Sequence, residues 1–277
     1  MIPKILHLYW GRNNPLSLLR YMTVVSFSNL NPDWQIHVHY PRFANKGITW
    51  DSREHRIDVS GVDDYFDKLR EVPRCKLHSF DFDDVAPASG MNEIMRSDLA
   101  RWKLLAEQGG WWSDFDILFV KPMSSLSVGK SISVVGAYQQ TRTGVKHWSI
   151  GFLASDGGKF AQHFYEKVLH VAQTMYDPEQ YQSCGQLAYT PVLFEWIHDK
   201  RICALPPAIV YPIQSWEARH LYISNRKRTP QETIGIHWYG GFEYSQKFEM
   251  VINESSILFH HGFLADYLSA AWLQRPV

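Results

Sequence analysis

Two aspartates one residue apart, Asp114 and Asp116, are the residues of this chain best placed to hold a cation. Like charges at that spacing repel unless a cation lies between or beside them. Hard divalent ions such as Mn²⁺ and Mg²⁺ take carboxylate oxygens, and Mg²⁺ is often held by one or two carboxylates together with substrate phosphates. The pair therefore points to a metal–phosphate site. Asp81 and Asp83, followed by Asp84, have the same spacing. Their neighbours Ser79, Phe80 and Ala86-Pro87-Ala88 read as a loop, so those acids are expected in a solvated turn. Asp114 and Asp116 stand instead between Trp111-Trp112 and Ile117-Leu118-Phe119-Val120, the pattern of a buried strand, where carboxylates are costly unless paired or metal-bound.

The segment just upstream explains how such a pair would be positioned. Residues 92–108 read as a helix on which Ile94, Asp98, Arg101 and Leu105 fall at i, i+4, i+7 and i+11, one face. Asp98 and Arg101 are three apart and can meet as an ion pair. On a surface that pair is worth little; at the mouth of a sheet it faces a ligand. Gly109-Gly110 supplies a left-handed stop, and the chain turns directly into the aspartates. Further strands are expected at 5–10, 35–40, 56–59, 117–120, 132–138 and 149–154. Further helices are expected at 16–29, 63–69 and 159–175, with 42–50 and 74–89 irregular. This alternation predicts an α/β fold, one Rossmann-like domain with a mostly parallel central sheet flanked by helices. The halves are about 1–122 and 123–277, the second including a closing C-terminal flap.

Composition narrows the class. The 277 residues carry 28 basic and 28 acidic side chains, which argues against a nucleic-acid partner held by a broad basic surface. Cys75, Cys184 and Cys203 are scattered and odd in number, with no C-x-x-C, as in a reducing compartment. The opening residues do not read as a signal peptide, and no run approaches the roughly 20 apolar residues of a spanning helix. A cytoplasmic location is expected. The apolar, aromatic stretch 256–273 reads as a packed terminal helix and leaves peripheral contact with a membrane surface open. Eleven tryptophans and 14 tyrosines are core material that also stacks on sugar rings.

Ser97-Asp98-Leu99-Ala100-Arg101, Gly109-Gly110-Trp111-Trp112 and Asp114-Phe115-Asp116 together resemble the sugar-binding region of GT-A glycosyltransferases with a DXD motif. The group resembled is the one of capsular-polysaccharide transferases and mannosyltransferases, family-32-like in its sugar-binding region. Ile2-Pro3-Lys4-Ile5-Leu6-His7 is similar to its first strand, and Ile236-His237-Trp238-Tyr239-Gly240-Gly241 to its late His-Trp motif. The resemblance implies a GT-A fold, a nucleotide-sugar donor, a glycan or glycolipid acceptor, and Mn²⁺ or Mg²⁺. It implies metal ligation by Asp116 and His237 with Asp114 at the metal or ribose, and donor-sugar binding by Asp98 and Arg101. It places His7, Trp10, Trp112 and Lys247 along the nucleotide. Trp111 and Trp112 stand where members often carry tyrosine, which removes a hydroxyl contact. His260-His261 is a competing pair in a segment that reads as buried.

The implied reaction is transfer of a hexose from a nucleotide diphosphate sugar, UDP-linked, with retention of configuration and no dedicated base. An inverting enzyme would need a carboxylate general base, for which Asp156 and Glu217 are the unassigned acids. Trp148, Trp216, Glu217 and Tyr239 are the acceptor-side candidates, with 206–212 as a cleft wall. A non-catalytic carbohydrate-binding protein on the same fold is the alternative. A phosphotransferase using the first aspartate as nucleophile fits less well, because Leu118 stands where Thr or Val is usual.

Overall fold

The computed structural model describes residues 1–43, 61–87, 91–223 and 228–275. Its strands are β1 (Ile5–Tyr9), β2 (Gln35–Pro41), β3 (Cys75–Phe80), β4 (Gly110–Ser113), β5 (Ile117–Phe119), β6 (Val134–Gln140), β7 (Lys146–Ser155), β8 (Ile202–Leu205) and β9 (Gly235–His237). The helices are α1 (Leu18–Leu30), α2 (Glu93–Glu107), α3 (Lys159–Thr174), α4 (Gln186–Trp196), α5 (His220–Ile223), α6 (Glu243–Val251) and α7 (Phe263–Trp272).

Seven strands form one sheet in the order β3-β2-β1-β4-β7-β6-β8. All its pairs are parallel except those that β7 makes with β4 and with β6. The short strands β5 and β9 pair antiparallel on their own. One apolar cluster joins α1, α7 and the β5–β9 pair to one face of the sheet. A second, built around Trp102, Phe164, Tyr165 and Tyr189, packs α2, α3 and α4 on the other. The α/β expectation and its mostly parallel sheet therefore hold.

The local signals explain the element that matters most. Asn92 caps α2 by accepting a hydrogen bond from the Met95 N–H, and Gly109, at φ +65°, ends it. A Cβ on Gly109 would stand 2.8 Å from the Gly157 nitrogen, so glycine is required there on two counts. Residues 256–273 end in a packed helix, with Phe263, Leu264, Tyr267 and Leu268 of α7 buried. No described helix is long and apolar enough to cross a membrane.

Three expectations change, and one falls outside the described residues. Residues 75–80, read as irregular, form β3, an edge strand whose mixed polarity hides the period-two pattern. The helix expected at 63–69 is a short 3₁₀ turn at Asp67–Glu71. The expected strand 56–59 lies outside the described residues, as does most of the 42–50 loop. Asp114 and Asp116 follow β4 in a turn rather than standing on a strand, while Asp81 and Asp83 do occupy a loop.

Candidate active site

The turn between β4 and β5 alternates sides as a strand would. Phe115 is buried against Trp10, ring centroids 5.6 Å apart, and its carbonyl accepts from the Thr23 hydroxyl of α1. With Phe115 anchored inward, Asp114 and Asp116 line a cleft of about 1170 Å³ at the ends of β1 and β4. That position, beyond the carboxyl ends of parallel strands, is where open α/β sheets bind ligands.

Asp98 and Arg101 of α2 are both buried, so the surface-pair reading falls. Arg101 Nη1 lies 3.0 Å from Asp98 Oδ1, and Nη2 donates to Asp114 Oδ1 at 2.9 Å. Trp112 Nε1 donates to that same oxygen at 2.8 Å, and the guanidinium stands 4.8 Å from the Trp112 ring centre. Burial, opposed by Arg101, pushes the Asp98 carboxyl up to about 7. The other oxygen of Asp114 faces Gly151, where a Cβ would come within 2.9 Å of it.

Asp116 is fixed from the far end of the chain. The β5–β9 register pairs Ile117 with His237, and the Trp238 N–H donates to the Asp116 carbonyl. The Gly240 N–H donates to Asp116 Oδ2 at 2.9 Å. Asp116 Oδ1 is buried and lies 3.2 Å from His237 Nε2. Burial pushes this carboxyl up, but the His237 ring, Arg20 and the Gly240 N–H together hold it well below the usual carboxylate range. His237 Nδ1 accepts from the Tyr239 N–H at 3.2 Å, which leaves the ring proton of neutral His237 on Nε2.

The structure brings most of the sequence candidates into this cleft. Trp10, Asp98, Arg101, Trp112, Asp114, Asp116, Trp148, Trp216, His237 and Tyr239 all line it. Of the three expected metal ligands, Asp116 and His237 converge, while Asp114 Oδ1 is turned to Arg101 and Trp112.

The remaining candidates lie elsewhere. His7 is buried within the sheet, its Nε2 3.0 Å from the Gly109 carbonyl, because the cleft opens further along, at Tyr9 and Trp10. Lys247 is exposed on α6 and pairs with Glu243 one turn away. Glu217 is exposed in a 3₁₀ turn, outside the cleft lining. Asp156 accepts from Ser133 Oγ and the Gly158 N–H, away from the cleft. Residues 206–212 do not line it, and His260-His261 are half-buried and exposed rather than buried.

Sequence reasoning missed Arg20 and Gln182. Arg20 lines the cleft, donates from Nε to Glu249 at 2.6 Å, and stands 5.1 Å from the ring centres of both Trp10 and Trp238. Its partner is 229 residues away, so no local spacing signals it. Gln182 lines the cleft with φ +67°, and its Oε1 accepts from the Gln186 N–H at the start of α4. A non-glycine residue held in that region stores strain of a kind that gathers at functional sites.

No protein-family model matches the chain, and neither does any curated protein. Solved structures do. The chain is similar to the PaToxG glycosyltransferase at 17% identity, over 71% of this chain and 70% of that one, with a TM-score of 0.51. It is similar to the glycosyltransferase GlyE of Streptococcus pneumoniae at 14% identity and the same TM-score, over 97% of this chain. It spans 60% of the GlyE chain. At these identities the likeness is one of fold: this chain has the α/β architecture of GT-A glycosyltransferases.

Proposed function

We propose that this chain is a metal-dependent glycosyltransferase. It moves a hexose from a nucleotide diphosphate sugar, UDP-linked, to a hydroxyl of a glycan or glycolipid, with retention. The observation that carries this reading is the meeting of a buried carboxylate and an imidazole in the cleft, Asp116 Oδ1 standing 3.2 Å from His237 Nε2, with Asp114 two residues away in the same turn. Carboxylate oxygens suit Mn²⁺ or Mg²⁺, and His237 would add a nitrogen ligand. Asp116 and His237 would hold the ion, with Asp114 the next carboxylate in the turn. Bound there, a divalent ion supplies positive charge against the diphosphate leaving group. His237 must then release Nε2 as a lone pair, shift its proton to Nδ1, and give up the Tyr239 N–H.

The chain's own groups supply the rest. Arg101, clamped by Asp98 and Asp114 and laid against Trp112, offers a fixed guanidinium to donor hydroxyls or phosphate. Arg20 adds a second cation to the same cleft. Retention is favoured because each carboxylate lining the cleft is engaged: Asp98 and Asp114 with Arg101, Asp116 with the Gly240 N–H and His237, and Glu249 with Arg20. An inverting enzyme needs a free one as base. Trp148, Trp216 and Tyr239 offer aromatic surface to the acceptor. Residues 1–122 supply most of the donor side, and 123–277 the acceptor side together with His237. Three unpaired thiols suit a cytoplasmic setting, where the acceptor lipid or glycan would be met at a membrane surface.

Calorimetric titration of UDP and of GDP, with and without Mn²⁺, tests this reading. UDP binding that needs both Mn²⁺ and an intact Asp116, and is lost in Asp116→Ala, is the expected result. Preference for GDP would change the donor. Failure of either nucleotide to bind with any metal would remove the reading and favour a carbohydrate-binding protein.

A further inference from the structure

Four histidines share one face of the β1–β2–β3 part of the sheet. The register pairs His7 with His37 and His39 with His78, so the alternation of side chains puts all four on the same side. His7 and His39 are buried, and His37 and His78 are half-buried. None of them lines the donor cleft. His7 Nδ1 lies 3.1 Å from His39 Nε2, and one ring nitrogen each of His7, His37 and His39 fall within 4.8 Å of one another.

The protons are already arranged for ligation at His7. Its Nε2 lies 3.0 Å from the Gly109 carbonyl oxygen, which can only accept. The neutral ring therefore carries its proton on Nε2 and turns the Nδ1 lone pair toward its neighbours. Burial is the leading cause that lowers all four imidazoles, His7 to about 3 and His37 to about 4, so the rings are neutral. The His78 ring centre is 4.6 Å from that of His37, and its Nε2 is buried without a hydrogen-bond partner.

We propose that His7, His37 and His39 form a second cation site, separate from the donor cleft, for a divalent transition ion of the zinc type. Neutral imidazole is a ligand of choice for zinc, copper and nickel. Tetrahedral zinc with Zn–N of about 2.0–2.1 Å separates its ligand nitrogens by about 3.3–3.4 Å. The His7–His39 pair already stands within a few tenths of an ångström of that edge. Rotation of the half-buried His37 ring closes the third corner, and His78 is the nearest further imidazole. A metal-bound histidine typically donates its other N–H to a carboxylate or carbonyl, which Gly109 provides. The C-terminal end of α2, with its partial negative charge, lies at this carbonyl, while Lys76 is the charged side chain that opposes a cation at His37 and His78. The bound ion would fasten β1 and β2 to the turn between α2 and β4, the turn that leads into Asp114 and Asp116.

The test uses the full, tag-free chain, stripped with EDTA and dialysed, and titrated with Zn²⁺ by calorimetry. Asp116→Asn removes the donor-cleft carboxylate, and His237→Gln serves the same end if that variant does not fold. In this background one Zn²⁺ per chain is expected to bind at micromolar concentration. Co²⁺ in its place is expected to show the intense visible bands of a tetrahedral site. His37→Gln, at a half-buried position with its fold checked by circular dichroism, should weaken Zn²⁺ at least about tenfold. No binding in the Asp116→Asn chain, or a folded His37→Gln chain that binds Zn²⁺ unchanged, would overturn the proposal. Neither outcome bears on the glycosyltransferase reading.

Discussion

Replacing Arg101 by methionine removes the cation between two carboxylates while keeping an unbranched side chain of similar length. Arg101 and Asp98 each retain only 3% of their side-chain exposure, so water cannot take over the lost partner. Removing one member of a buried pair costs about 3–5 kcal/mol, because Asp98 must then either stay charged without its partner or take up a proton. Asp114, with 32% of its side chain exposed, can turn to solvent and adds little to that figure. An unfolding entropy of about 2.1 cal/mol/K per residue converts the loss into a fall in Tm of about 5–9 °C for a chain of this length. Urea titration and thermal melts of Arg101→Met, Asp98→Leu and the double variant measure it. The double variant should recover much of the loss, because no orphaned charge remains. A single variant that loses less than about 1 kcal/mol, or a double variant less stable than either single, would refute the argument that the pair is buried and mutually dependent.

Gly109→Ala should cost about 1–2 kcal/mol for the left-handed backbone, and more for the approach to Gly157, as read from the urea midpoint. The Cys184 thiol, pushed up to about 12 by burial and by Asp98, should resist iodoacetamide at pH 8 and react only on unfolding, as followed by mass spectrometry. The sign follows from linkage: its neutral form is favoured in the fold, so its contribution is complete below the ordinary thiol pKa and is lost as pH rises toward 12. Lys247→Ala should leave UDP affinity unchanged within about a factor of two, because Lys247 is paired with a solvent-exposed Glu243; a tenfold loss would place it in the proposed donor site.

One wall of the cleft was legible in the sequence because its signals are local. The Asp98–Arg101 spacing, the Gly109-Gly110 stop and the Asp114/Asp116 turn all fall within some twenty residues, and helix period and turn chemistry place them together. His237 was legible only through the resemblance, since no local pattern predicts that β9 pairs with β5. Arg20 and Gln182 were missed for the same reason: their roles arise from tertiary contacts and from one unusual backbone angle. His7 was misplaced because it shares a face with Tyr9 but lies two residues short of the carboxyl end of β1, where the cleft opens. Lys247 was misplaced by one side of α6, where Gln246 and Glu249 face the cleft instead. The edge strand β3 was lost because an edge need not be apolar.

The hydrogen bond from Gly240 to Asp116 spans 124 positions of the chain. At translation rates of about 5–20 residues per second, Asp116 leaves the ribosome about 6–25 s before Gly240 does. For that interval the nascent protein has its first four strands but neither the imidazole nor the amide that steady the second aspartate. Docking β9 on β5 is also a distant closure of the kind that slows folding. Cleft assembly thereby waits until residue 240 has been made, and a shorter nascent chain lacks both groups that steady Asp116.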